Sequence, residues 1–175
     1  MTSLKDSGLA HFRAGRHDLA ADDFRLAAQE YLAANDPLNA AEMANNLSVT
    51  LLLMKDFAGA LDAVQGTAAV FQRAGDRVKQ GQAVGNEAAA LEGLGRLAEA
   101  AGLYQQAAEI FEQAGENEQR ATTLRALAAV QLKQGKAAEA VFTMQGGLEG
   151  AEIPSLAKRT LSGLFRIPSR LLGRW

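Results

Sequence analysis

Residues 86–116 read NEAAALEGLGRLAEAAGLYQQAAEIFEQAGE, and this stretch decides the fold. Asn86 to Leu94 and Ala98 to Ala114 are dominated by alanine, leucine, glutamate and glutamine, which are strong helix formers. Gly95-Arg96 interrupts them, and a glycine there can take the left-handed conformation that ends a helix. The stretch therefore predicts two helices joined by a tight turn, a helical hairpin closed by Ala114-Gly115-Glu116.

Working outward, the same pattern returns every forty residues, a spacing that has to be settled before any local reading. Ala20, Ala60, Ala100 and Ala140 fall in one column, as do Gly15, Lys55, Gly95 and Gly135. Gly8, Ser48, Ala88 and Ala128 form a small-residue column, and Phe24, Val64, Tyr104 and Met144 form a large apolar one. Tyr31, Phe71 and Phe111 align, followed by the turns Ala34-Asn35-Asp36, Ala74-Gly75-Asp76 and Ala114-Gly115-Glu116. Four units follow: 1–40, 41–80, 81–120 and 121–152. Asp36-Pro37 predicts an N-cap followed by a proline in the first helical turn, and Gly75-Asp76 a C-terminal glycine followed by the next N-cap. Small residues belong where the two helices of a hairpin cross, with the large apolar column filling the space beside each crossing. The expected fold class is all-α, a solenoid of four stacked helical hairpins followed by a C-terminal amphipathic helix.

These columns carry a family resemblance. A small residue at Gly8, a glycine at Gly15, alanine at Ala20, an aromatic at Phe24 and alanine at Ala27 resemble the tetratricopeptide repeat. The pattern recurs at Ser48/Ala60/Val64, at Ala88/Gly95/Ala100/Tyr104/Ala107 and at Ala128/Gly135/Ala140, covering about 150 of the 175 residues. The forty-residue period exceeds the usual 34 of that repeat, and the proline that ordinarily closes the motif is missing. The longer second helix ending in Ala-Gly-Asp is similar to the units of soluble NSF-attachment proteins and kinesin light chains. The resemblance implies a right-handed solenoid whose first helices line a concave groove that binds a peptide or an amphipathic helix of another protein. On that basis the groove-facing residues are expected to be Lys5, Leu9, Phe12, Asn45, Asn46, Val49, Leu52, Asn86, Ala89, Arg125, Ala129 and Leu132. They are mostly apolar, with amides at one rim, and suit the apolar face of a helix. Chaperone-type members of the family hold a C-terminal carboxylate with two lysines, two asparagines and an arginine. Here Lys5 and Asn46 match that set, but Leu9 stands for an asparagine, Gln82 for a lysine and Asn86 for the arginine. The cations such a clamp needs are missing.

Composition narrows the remaining possibilities. The chain has 175 residues, 48 % of them apolar, 22 % charged and 6 % aromatic, with alanine at about a fifth. It has no cysteine, which excludes disulfides and thiolate metal sites and fits a reducing, cytoplasmic setting. His11 and His17 are the only histidines, and a spacing of six sets them on different sides of a helix, away from a two-histidine metal site. No nucleophile and base pair up, and Asp22-Asp23 and Glu116-Asn117-Glu118 read as solvated surface because neighbours on a helix diverge by about 100°. Gly93-Leu94-Gly95 and Gly146-Gly147 follow no strand and lack a Lys-Ser/Thr ending, so they are not phosphate loops. The expectation is a non-enzymatic protein that uses no cofactor or metal. Met1 to Ala10 holds Lys5 and Asp6 and no long apolar run, so no secretory signal is expected, and no stretch is apolar enough to span a membrane.

The net charge of −2 conceals an asymmetry. Through Glu152 there are 20 acidic and 13 basic residues, a net −7, whereas Lys158, Arg159, Arg166, Arg170 and Arg174 follow with no acid, a net +5. An acidic body argues against a nucleic-acid partner. Pro154 and Pro168 bracket an expected basic amphipathic helix carrying Leu161, Leu164 and Phe165, and Leu171, Leu172 and Trp175 continue its apolar content. Three roles fit this tail: a cap on the last hairpin, a weak attachment to anionic membrane, or insertion into the groove of its own or a neighbouring copy, giving self-association.

Overall fold

A computed structural model describes residues 3–149, and every regular element within that range is an α-helix. The first hairpin pairs α1 (Leu4–Arg13) with α2 (His17–Ala33), and the second pairs α3 (Pro37–Leu53) with α4 (Phe57–Val64) and α5 (Thr67–Ala74). The third pairs α6 (Arg77–Gly93) with α7 (Leu97–Ala114), and the fourth α8 (Asn117–Lys133) with α9 (Ala137–Glu149). Consecutive helices pack on one another, so the molecule is a stack of helical hairpins, as the forty-residue period implies. The first helix of the third hairpin is longer than its alanine-rich core suggests: it begins at Arg77 and not at Asn86. The Asp76 carboxylate caps it by accepting the Lys79 amide at 2.9 Å, and burial of Gly81, Ala83 and Val84 compensates for the polar residues between them.

The same device starts α3 and α4. Asp36 accepts the Asn39 amide at 3.1 Å ahead of Pro37, and Asp56 accepts the Gly59 amide at 3.0 Å. The hairpin turns share one backbone geometry, with a positive φ at Gly15 (70°), Lys55 (62°), Gly95 (76°) and Gly135 (79°). Lys55 holds a left-handed conformation there at a cost of about 1–2 kcal/mol, which shows how firmly the neighbouring helices dictate the turn.

The crossings rest on the small columns. Ala20, Ala60, Ala100 and Ala140 are at most 1 % exposed. Across from Ala60, the buried Ser48 hydroxyl donates to its carbonyl at 2.8 Å, a bond possible only where the two helices touch. At Gly8 an added Cβ would lie 2.8 Å from the Phe24 ring, so the first crossing needs a glycine for clearance. Phe24, Val64 and Tyr104 are buried beside the crossings as their column predicts. Met144 departs from it and is 37 % exposed, because among the described residues no hairpin follows to cover it. The second hairpin departs differently: Gln65-Gly66, with Gly66 at φ 79°, splits its second helix in two.

Ala100→Leu is expected to overpack the third crossing and cost about 1–3 kcal/mol, measured by urea unfolding followed by circular dichroism.

Candidate protein-binding groove

The inner face of the stack is formed by the first helices of the hairpins. Its central cavity, of about 640 Å³, is walled by Asn45, Asn46 and Val49 of α3, by Gly81, Gln82, Gly85, Asn86 and Ala89 of α6, and by Gln119, Thr122 and Ala126 of α8. The rings of Tyr104 and Phe111 also reach it. Gly81 gives that access: a Cβ there would lie 2.8 Å from the Phe111 ring. A smaller apolar recess of about 120 Å³ continues toward α1, lined by Leu9, Phe12, Phe24, Asn46 and Val49. The groove is therefore graded, apolar at the α1 end and hydroxyl- and amide-lined at the α8 end, where Glu118 and Thr123 also contribute.

Of the residues expected to face the groove, Leu9, Phe12, Asn45, Asn46, Val49, Asn86 and Ala89 line these cavities. Asn45 and Asn86 are engaged with each other, the Asn86 Nδ2 donating to the Asn45 Oδ1 at 2.8 Å. Asn46, which lines both cavities, has no side-chain hydrogen bond to another described residue. Leu52 packs against the first core cluster instead of lining either cavity. Arg125, Ala129 and Leu132 are exposed, Leu132 by 54 %, and line no part of the groove. Ala129 shares a column with Val49 and Ala89, but those two face a following first helix, whereas among the described residues no first helix follows α8 to make a second wall. The residues that α8 does supply, among them Thr122 and Ala126, align with Gln82 and with Asn46 and Asn86. The repeat thus carried the signal for them. The tail residues Lys158, Arg159, Leu161, Leu164, Phe165, Arg166, Arg170 and Trp175 lie outside the described residues.

Two polar struts fix the spacing of the groove walls. Glu42 accepts Lys5 Nζ at 2.7 Å on one oxygen and Lys79 Nζ at 2.9 Å on the other, joining the first three hairpins. Burial pushes the Glu42 carboxyl up, but the hydrogen bonds from Lys5 and Lys79 outweigh it and hold the group below the usual carboxylate range. The same hydrogen bond raises Lys79. Lys5 is thereby committed to structure and not free to meet a ligand carboxylate. At the far side, the Tyr104 hydroxyl donates to Glu92 at 2.9 Å, and Glu92 accepts Lys133 Nζ at 2.7 Å, tying the third hairpin to the fourth. Burial, followed by the Glu92 carboxylate, keeps the Tyr104 hydroxyl protonated far above its ordinary range.

The histidines fall on separate helices, α1 and α2, and not on one. His11 Nδ1 lies 2.9 Å from Asp23, while the His17 ring meets Phe12 edge-on at 5.8 Å. Asp22 turns away to Arg25 at 2.8 Å, so the adjacent aspartates serve different contacts. Among the described residues no group of three metal-ligating side chains gathers, and no helix is long and apolar enough to cross a membrane.

Because its folded-state carboxyl is depressed, Glu42 contributes stability that is present above the ordinary glutamate value of 4.5 and is lost as pH falls through its lower folded value. Glu42→Gln is expected to lower stability slightly at pH 7, with the difference from the parent closing as the solution is acidified, read from urea midpoints across pH.

Residues 81–152, which take in most of α6 and all of α7 to α9, match the family model of the tetratricopeptide repeat. No curated protein matches the chain.

Proposed function

We propose that this chain, which belongs to the tetratricopeptide repeat superfamily, is a non-enzymatic interaction scaffold that binds an amphipathic helix or extended peptide of another protein along its concave face. The observation that carries the reading is the graded groove. Leu9, Phe12 and Val49 offer an apolar seat at one end, and Asn46, Gln82 and Thr122 offer hydrogen-bonding groups toward the other. An amphipathic segment satisfies both ends at once, by seating its apolar face on Leu9, Phe12 and Val49 and its polar groups against the amides and hydroxyls. The self-satisfied Asn45–Asn86 pair makes part of the floor rigid, while Asn46 keeps its amide for a guest. Cytoplasmic residence belongs to the same proposal.

Val49 touches both cavities, so Val49→Glu is expected to abolish partner capture in an affinity purification while helicity by circular dichroism is retained. Leu132→Glu, at an exposed position that lines neither cavity, serves as the control and leaves capture intact. Equal capture by parent and Val49→Glu would sink the reading.

A second reading, self-assembly through the basic tail, draws on the last described hairpin, where Phe142 is 79 % and Leu132 54 % exposed. The described body is acidic and residues 153–175 are basic, so a tail from a neighbouring copy would be attracted to it. Deletion of 153–175 is expected to reduce the particle mass seen by light scattering. An unchanged mass counts against assembly, and loss of sedimentation with anionic liposomes would assign the tail to membrane contact instead.

A further inference from the structure

Three departures from the forty-residue repeat meet at one place outside the groove. The first is Glu87. Its column holds Ser7 in the first hairpin and, in the second and fourth, Leu47 and Leu127, which are 8 % and 3 % exposed and pack on the second helix of the preceding hairpin. In the third hairpin a carboxylate occupies that leucine position, half-buried and without a hydrogen bond or ion pair to any described residue. The second departure is the break at Gln65-Gly66 in the facing helix, where the aligned residues of α2 and α7 are helical. The third is Gly102 of α7, whose missing side chain leaves open space. Together they leave a cavity of about 390 Å³ between α4, α6 and α7, lined by Leu61, Gln65, Glu87, Leu91, Leu103 and the Arg96–Glu99 pair. It shares no lining residue with the groove.

Its chemistry is specific. Leu61, Leu91 and Leu103 give apolar walls, and Glu87 supplies a charge that nothing in the described residues neutralises. Arg96 does not reach for it, because its Nε and Nη2 are held by the two Glu99 oxygens at 2.8 and 2.6 Å. That pair cancels, leaving the lining at one net negative charge. Burial pushes the Glu87 carboxyl above its ordinary value, the sign of a carboxylate short of the solvation that a cation would restore. A guest with a hydrocarbon stem and a cationic end meets both demands, as lysine does when its methylenes lie on an apolar wall and its ammonium reaches a charge. Gln65, also in the lining, offers an amide oxygen for a second hydrogen bond.

We propose that this cavity binds a lysine side chain presented by a protein partner, with its ammonium on the Glu87 carboxylate and its methylenes against Leu61, Leu91 and Leu103. The site stands independently of the groove and would make the protein a two-point reader.

The test is a titration of the full chain, followed by amide NMR, with Nα-acetyl-lysine methylamide as the probe and its Nζ-acetylated form as the neutral control. Saturable shifts confined to residues near Gln65, Glu87 and Leu103 are expected from the cationic probe, with roughly tenfold weaker binding by the acetylated form and by Glu87→Gln. Glu87→Leu, which restores the leucine column, is expected to fold with a raised melting temperature and to lose the probe. Equal binding of both probes, equal binding by Glu87→Gln, or no localised shift would overturn the proposal. Tighter binding of n-butylammonium than of the blocked lysine would overturn the protein source in favour of a free amine. Val49→Glu is expected to leave these shifts unchanged, so failure of this site and failure of the groove are read separately.

Discussion

Close approach of two helix backbones at one point per hairpin is the constraint on which the structure depends. At Ala20, Ala60, Ala100 and Ala140 the side chain is a single methyl group sealed from solvent, and opposite it stands Gly8, Ser48, Ala88 or Ala128. Helices in such contact gain dispersion and lose water along their inner faces, and this allows a chain with only ten aromatic residues to build a well-buried core. Once the crossing is set, the turn must reverse the chain within a few residues, which calls for the left-handed residue at Gly15, Lys55, Gly95 and Gly135. The aspartate caps then start the next helix in register. The groove is a by-product of this stacking, since repeating one crossing puts every first helix on the same side.

Most of the architecture was legible in the sequence because it repeats. A column of alanines every forty residues has few explanations besides a repeated crossing, and Gly95, Gly75 and Asp36 announced their own turns and caps. The groove was less legible. The resemblance implies a groove-facing place for Leu52 and Leu132 on the first helices, yet one packs into the core and the other faces open solvent. Whether a residue lines a groove depends on what lies across from it, and that is a property of two neighbouring hairpins at once. Hence Val49 and Ala89 line the central cavity and Ala129, at the end of the described stack, does not.

The departures from repetition carry different information from the repeat itself. Met144 opens at a place where, among the described residues, no further hairpin follows. Glu87 has neighbours on both sides and still breaks the column, at a place where Gly66 interrupts the opposing helix. A half-buried acid in a leucine position works against stability, and two further changes that enlarge the space around it do not relieve that. Local conflict with the surrounding pattern is characteristic of positions kept for binding and not for folding.

The ion pair that Lys5 and Lys79 share on Glu42 spans three hairpins, whereas nearly every other contact joins neighbours in sequence. In a chain whose interactions are so local, hairpins can form early and independently, and folding proceeds by adding one to the next with little loop entropy to overcome. Such a stack exchanges its amide hydrogens unevenly, fastest at its ends and slowest in the middle. Glu42 sits where that gradient begins, and its two lysines bind the first hairpin to the slow centre, so the seat formed by Leu9 and Phe12 inherits the rigidity of helices well beyond its own hairpin.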